Sequence, residues 1–399
     1  MPYSRRQHTP ILAVLALALG LQGTAAAGDA LLGDWPTHAT LGDGTDLGLV
    51  VLWQYDLDRF SNDGGRIGDA QTNRRKYLGF YIRKKGVYDG TVVYDAQSKK
   101  WQDAYLRWQS RAWFGRDAGA VRLGQSKTPV GFEGNTGSNA TTFIELALPS
   151  QAVYENRRVG VDWALQRPSW LLGLGYYGDD LQGDNDGRTL AGRAAWVPLH
   201  RSGEVLHLGV SFSRERPQSS VDGRGVETPP SVRLRATPEA GLSPVRLIDS
   251  GTLADVAHID RAGLELLWIG GPWSVQGEYL KARTGFRAAS SGPAYDASGY
   301  YVFGSWVLTG ESRPYRNGNV GNIVPAHPWG ALELALRYSE ADLDDRPVMG
   351  GREHDWTLGA NWYLGRHLRF QANYVRAFSD RRGLPVDPHI VELRAALAF

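Results

Sequence analysis

Apolar residues recur at every second position along much of this chain. At its end, Val391, Leu393, Ala395, Leu397 and Phe399 alternate with Glu392, Arg394, Ala396 and Ala398. The same spacing holds for Leu368, Phe370, Ala372 and Tyr374, and for Trp356, Leu358, Ala360, Trp362 and Leu364. It recurs at Leu332, Leu334, Leu336 and Tyr338, and again at Leu206, Leu208, Val210 and Phe212. A period of two gives a strand one apolar face and one polar face. These segments run to about ten residues, the length a tilted strand needs to cross a bilayer.

The breaks between segments fall into two kinds. Short ones lie at 84–86, 167–169, 270–272 and 365–366, and long polar ones at 126–156, 178–187, 215–257, 283–298 and 340–355. Tight turns on one side and long loops on the other are expected of an outer-membrane barrel. The count predicts an all-β, transmembrane antiparallel β-barrel of about 16 strands with both ends on the periplasmic side. Residues 309–329 break the rhythm: parity asks for a short turn there, so the segment either folds against the barrel or changes the count. A soluble sandwich would also alternate. Here, however, Trp and Tyr gather near strand ends, and the inward positions carry Arg and Glu where a dry core would carry Val and Ile.

Composition supports export. Arg5 and Arg6 precede an apolar run from Ile11 to Leu21, and Ala25-Ala26-Ala27 offers a cleavage site. Residues 1–27 are therefore read as a Sec-type signal peptide and 28–399 as the barrel. There is no Cys, which excludes disulfides and thiolate chemistry. Without Arg5 and Arg6 the basic residues balance the 42 acidic ones, so net charge points to no partner.

Five stretches resemble the phosphate-selective porin O and P family. Gly124-Gln125-Ser126-Lys127-Thr128-Pro129-Val130-Gly131-Phe132-Glu133, followed by Thr142-Phe143-Ile144-Glu145, is similar to its constriction-loop segment. The others begin at Asn73-Arg74-Arg75-Lys76, Leu308-Thr309-Gly310-Glu311, Gly330-Ala331-Leu332-Glu333 and Thr357-Leu358-Gly359-Ala360. The closing Glu392 to Phe399 also fits. The resemblance covers about 46–399. It implies a 16-stranded, usually trimeric barrel in the bacterial outer membrane, with a loop (here 126–156) folded into the lumen as a constriction. It also implies contact with the barrel-insertion machinery through Phe399. The lysines number few, at 76, 84, 85, 99, 100, 127 and 281, which departs from the lysine-rich mouth of the characterised members.

Assigning the polar strand faces to the lumen turns Arg75, Arg83, Arg107, Arg122, Arg158, Arg193, Arg337, Arg369 and Arg394 inward, with Tyr77, Tyr81 and Tyr105 beside the first of them. Lys127 starts the constriction loop. Asp162, Glu265, Glu278, Glu333 and Glu392 share that face. A narrow lumen with low-dielectric walls focuses such charge and enriches anions. The expected activity is passive diffusion of small anions, with phosphate or polyphosphate the candidate cargo. On the other reading the arginines pair with Glu133, Glu145, Glu155 and Asp162, giving a general diffusion porin of weak selectivity. A structural or adhesive barrel using the proline-bearing loop 215–257, expected to be extended and irregular, is the reading from another class. Outer-membrane lipids and lipopolysaccharide are the expected surroundings.

Apparent catalytic motifs do not hold up. Gly173-Leu174-Gly175-Tyr176-Tyr177-Gly178 spells G-x-G-x-x-G but sits inside an alternating strand with no helical period after it. Asp179-Asp180 and Asp184-Asn185-Asp186-Gly187 have Arg193 where a calcium loop needs Glu. The nine histidines form no zinc spacing, and no G-x-S-x-G elbow is present. The sequence calls for no enzyme activity, cofactor, metal or nucleic acid.

Overall fold

The computed structural model describes residues 37–221, 223–287 and 292–399. The expected export signal at 1–27 lies outside the described residues. Sixteen antiparallel strands close into a barrel: β1 (Thr45–Ser61), β2 (Ala70–Lys84), β3 (Tyr88–Asp95), β4 (Lys100–Gln109), β5 (Ala120–Lys127), β6 (Arg157–Arg167), β7 (Trp170–Tyr177), β8 (Arg188–Arg201), β9 (Glu204–Arg216), β10 (Val256–Gly270), β11 (Trp273–Phe286), β12 (Tyr295–Val307), β13 (Ala331–Asp345), β14 (Val348–Leu364), β15 (Leu368–Arg381) and β16 (His389–Ala398). Each strand pairs with its neighbours in sequence, and β1 pairs with β16 to close the ring, Leu52 opposite Ala398 and Ser61 opposite His389. Phe399 extends this seam by exchanging backbone hydrogen bonds with Val51.

Alternation sets the two faces. Leu78 and Phe80 of β2, which stand 59% and 63% exposed, lie on the outer face with Leu106, Leu174 and Leu358. This apolar belt suits a lipid surround, where closed strands leave no backbone group unpaired. Tryptophans ring its turn end: Trp170 pairs with Trp196, and Trp273 stacks on Trp306 with centroids 4.8 Å apart. Indole donors there find backbone acceptors, Trp163 on Ala118 O at 2.7 Å and Trp362 on Trp329 O at 2.9 Å. The G-x-G-x-x-G glycines Gly173 and Gly175 lie in β7. A Cβ on Gly175 would stand 2.4 Å from the hydroxyl oxygen of Tyr177, whose ring covers this stretch of inner wall.

Three connections depart from the sequence reading. Residues 340–355 are not a loop: β13 and β14 run on as one long hairpin, joined through Arg346 and Pro347. In this extension the outward positions carry Glu340, Asp342 and Asp344 while Ala341 and Leu343 turn inward and are buried, so the apolar residues change face and the run reads as polar loop. Likewise, β11 reaches Phe286 and β12 starts at Tyr295, leaving much less loop than 283–298. The loop between β9 and β10 is also not irregular. It forms three short ladders, Ser220–Val221 on Glu227–Thr228, Ser231–Val232 on Leu253–Ala254 and Arg235–Ala236 on Ile248–Asp249. Leu234, Ala236, Ile248 and Leu253 of this loop are buried against Leu148 and Val153, and against inner-wall residues Ile259, Leu280 and Ala297.

The 308–330 connection is a true segment that folds into the barrel. Tyr315–Arg316 pairs with Asn319–Val320 across Asn317-Gly318, both at positive φ (52° and 73°). Asn-Gly with two positive φ angles is the signature of a tight two-residue hairpin. Val320 joins Phe132, Val197, Val205, Leu267 and Ile269 in one inner cluster.

Candidate functional site: the eyelet

Residues 128–156 leave β5, cross the interior and return at β6. Phe143 and Ala147 pack on the inner-wall residues Tyr301, Phe303 and Ala335, while helix α1 (Leu148–Val153) leans on β11 to β13. The loop is held by charge as well. Glu278 accepts the backbone N–H groups of Phe132 and Glu133, the latter at 2.8 Å, and the hydroxyl of Tyr301 at 2.7 Å. A carboxylate taking several N–H donors fixes a turn strongly.

Two β-bulges shape the opposite wall. Gln54 faces Arg75 and Tyr55 faces Asn73, so Arg74 is the extra residue. Val92 faces Ala104 and Tyr94 faces Trp101, so Gln102 and Asp103 both stand opposite Val93. A bulge places two consecutive side chains where alternation allows one. Arg74 and Arg75 therefore both serve the lumen: Arg74 donates to Glu145 at 3.1 Å, and Arg75 to the amide oxygen of Gln54 at 2.7 Å. Asp103 accepts from Arg157 at 2.9 Å. Lys127 donates to the carbonyls of Gly134 (2.8 Å) and Thr136 (2.6 Å) in the infolded loop.

An opening of 390 Å³ is bounded by Tyr77, Gln102, Asp103, Lys127 and Arg157 on the wall and by the uncharged Asn135 and Asn139 on the loop, and it reaches Arg366 and Phe399 at the turn end. Arg157, Asp103 and Arg75 are the charges that act on Lys127. Above lies a vestibule of 790 Å³ whose lining mixes Arg74, Arg233, Arg235, Arg246 and Arg261 with Glu145, Glu155, Asp184, Asp186 and Glu215. Arg74, Arg75, Lys127 and Arg157 face the carboxylates of Asp103 and Glu145, so the eyelet carries an excess of positive charge. Burial alone would raise the Glu145 carboxyl, but Arg74, Arg75 and Arg394 hold it down at about 2.

The arginines read from the sequence divide by partner. Arg75 is tied to a neutral amide, and Arg83, exposed near the turn end, lies 5.4 Å from the Tyr81 ring. Arg107 pairs with Asp89 (2.8 Å) and Arg122 with Asp162 (2.9 Å), with Tyr105 5.2 Å from the Arg122 guanidinium. Arg158 is fully buried between Glu155 (2.6 Å) and Glu215. Arg193 pairs with Glu265 (2.7 Å), and Arg337 with Glu133 (3.2 Å) and Glu239 (2.6 Å). Arg394 grips Asp56 at 2.5 Å. Three of these arginines also hold the loop's carbonyls: Arg337 binds Glu145 O, Arg394 binds Ile144 O, and Arg369 binds Asn139, Thr141 and Thr142. The structure thus brings Arg75, Lys127 and Tyr77 to the eyelet and spends Arg337, Arg369 and Arg394 on the loop's seat. Tyr77 donates to Gln102 at 3.4 Å. Arg157, Asp103 and the lumen position of Arg74 escape a reading by strict alternation. The signal for both bulges is a pair of adjacent polar residues, Arg-Arg and Gln-Asp, inside an otherwise alternating strand.

Asp180 accepts the backbone N–H groups of Gln182, Asp184 and Asn185, which closes the Asp-rich loop on itself.

A family model described as phosphate-selective porin O and P matches residues 46–399. Porin O of Pseudomonas aeruginosa is 25% identical over 448 aligned positions, covering 94% of this chain and 95% of its own length. An uncharacterized Caulobacter vibrioides protein is 30% identical over 346 residues, covering 82% of this chain and 66% of its own. Among solved structures, an anion-selective porin from Comamonas acidovorans superposes with a TM-score of 0.54 at 13% identity, covering 89% of this chain and all of that one. The outer-membrane channel DcaP of Acinetobacter baumannii gives 0.53 at 11%, covering 90% and 99%. At these identities the structural likeness is one of fold. The family match is of another kind, since it runs from the first barrel strand to the final residue: the chain belongs to the phosphate-selective porin O and P family of bacterial outer-membrane porins.

Proposed function

We propose that this barrel is a passive, anion-selective channel whose filter is the eyelet formed by Arg74, Arg75, Lys127 and Arg157, with phosphate its preferred cargo. One observation carries the reading. Arg75 and Lys127 are satisfied by a neutral amide and by carbonyls, so their charges remain available to a passing ion. The part of the loop that bounds the opening offers the uncharged Asn135, Ser138 and Asn139, while its one carboxylate near these cations, Glu145, is taken up by Arg74. Guanidinium groups suit phosphate because their planar fork donates two parallel hydrogen bonds and stays ionised. The vestibular Arg235 and Arg246 would concentrate anions above the filter.

The rival reading, a general porin of weak selectivity, draws on Arg107, Arg122, Arg158, Arg193, Arg337 and Arg394, whose charges are matched by carboxylates. Reversal potential under a KCl gradient, followed by phosphate titration of the chloride current, separates the two. Anion preference with block at low phosphate supports the filter. An unselective pore that phosphate leaves open refutes it.

The assembly we infer is a homotrimer, with contacts in the sector β3 to β7, where strands of 8 to 11 residues make the wall lowest. Lipopolysaccharide around the loop end and the insertion machinery at Phe399 complete the proposed partners.

A further inference from the structure

The segment 308–330, which enters the lumen from the periplasmic side, touches the filter's support. Its anchorage on the wall is extensive. Arg313 pairs with Glu333, the Tyr315 hydroxyl lies 2.8 Å from Nδ1 of His207, and Gly318 O accepts from Arg193 at 2.9 Å. From this seat Asn319 reaches the constriction loop with both ends of its amide. Its Oδ1 accepts from the Thr136 hydroxyl at 2.7 Å, and its Nδ2 donates to Phe132 O at 3.2 Å. The same Thr136 offers its carbonyl to Lys127 Nζ at 2.6 Å. One residue therefore separates the periplasmic segment from an eyelet cation.

We infer that Asn319 is a positioning residue for anion selectivity: through Thr136 it fixes the carbonyl cradle that holds Lys127 toward the eyelet. A lysine ammonium has three donors on a flexible stem. Two are spent on Gly134 and Thr136, which orients the stem before any anion arrives. An oriented cation spares the bound state the ordering of a rotamer-rich side chain, an effect of about three- to tenfold in affinity. The periplasmic segment is thus part of the filter's frame, and whatever displaces it acts on the eyelet from the far side of the membrane. This inference rests on the anion-channel reading above.

The experiment is a planar-bilayer series on full-length purified protein, with inorganic phosphate as the probe of chloride current. Asn319→Ala and Thr136→Val are each expected to weaken phosphate block about three- to tenfold while leaving open-channel conductance near wild type. Their combination should be no worse than either alone, and in a Lys127→Ala background Asn319→Ala should change nothing further. Asn319→Ser, smaller but still polar, serves if the alanine variant fails to insert. A blocked wild type with block unchanged in Asn319→Ala overturns this inference alone. So does an Asn319→Ala effect that persists without Lys127. A wild type with neither block nor anion preference overturns both readings.

Discussion

Arg74 donates to the carboxylate of Glu145 at 3.1 Å, although strict alternation in its strand would send it to the lipid. The bulge that turns it inward joins the wall of β2 to the infolded loop and sets a negative charge beside the eyelet's cations. Glu145→Gln should therefore raise the anion-to-cation permeability ratio. A unit charge about 4 Å away in a water-like medium is worth about 1 kcal/mol, or roughly fivefold in local ion concentration. Reversal potentials in a KCl gradient check the sign; an unchanged ratio would show that Arg74 is neutralised by other means.

The partner pair Asp103 and Arg157 offers an opposed test. Asp103→Asn should shift the reversal potential toward the anion limit, and Arg157→Gln should shift it away, each by a few-fold in permeability ratio. Because both residues line one opening, a shift in the same direction for both would mean that the substitutions act on loop position and not on charge.

Acidification has a defined sign at Glu145. Its carboxyl sits at about 2 in the folded protein, below the usual Glu range near 4.3. Its contribution to seating the loop is complete above the unfolded value and is lost as pH falls through about 2. Conductance traces should keep the same eyelet behaviour from neutrality down to about pH 3 and become noisy below it. Onset of noise near pH 4 to 5 would place Glu145 outside the arginine cluster.

Arg337 is fully buried between Glu133 and Glu239 and also holds Glu145 O. Removing one partner of a buried pair leaves charge uncompensated, at a cost of about 3–5 kcal/mol. Arg337→Met should lower the thermal unfolding midpoint in detergent, and adding Glu239→Gln should restore part of the loss. No recovery in the double variant would show that the cost lies in packing on Phe143, whose ring is 4.3 Å from the guanidinium.

Gly318 stands at φ +73°, where a Cβ would lie 2.3 Å from Leu171 Cδ2. Gly318→Ala should unseat the hairpin tip. Trypsin cleavage after Arg316 should then become faster than in the parent protein. Equal rates would mean the tip accommodates the methyl without moving.

Alternation made the strands legible because each carries its own two faces. At 340–355 the outward face turns acidic and the apolar residues Ala341 and Leu343 face inward, so the pattern that marks the other strands is interrupted. Bulges hide for the opposite reason: Arg74 and Gln102 sit within regular strands, and only a partner strand reveals which residue is extra. Glu133, Glu145, Glu155 and Asp162 are legible as arginine partners and do pair with Arg337, Arg74, Arg158 and Arg122, but the partners Asp56 of Arg394 and Glu239 of Arg337, 338 and 98 positions away, are not. The Asn317-Gly318 hairpin announces its turn locally, but nothing in the local sequence says that it points into the lumen.

The Arg394 contacts carry one more consequence. The last strand of the chain supplies the guanidinium that binds Asp56 of the first strand and Ile144 O of the constriction loop. Contacts between such distant parts of a chain form late, after the long loop between them has been closed. The constriction loop therefore receives this fastening in the same event that seals the ring. A barrel still open at its seam lacks this hold on the constriction loop, and a closed one has the loop already fastened.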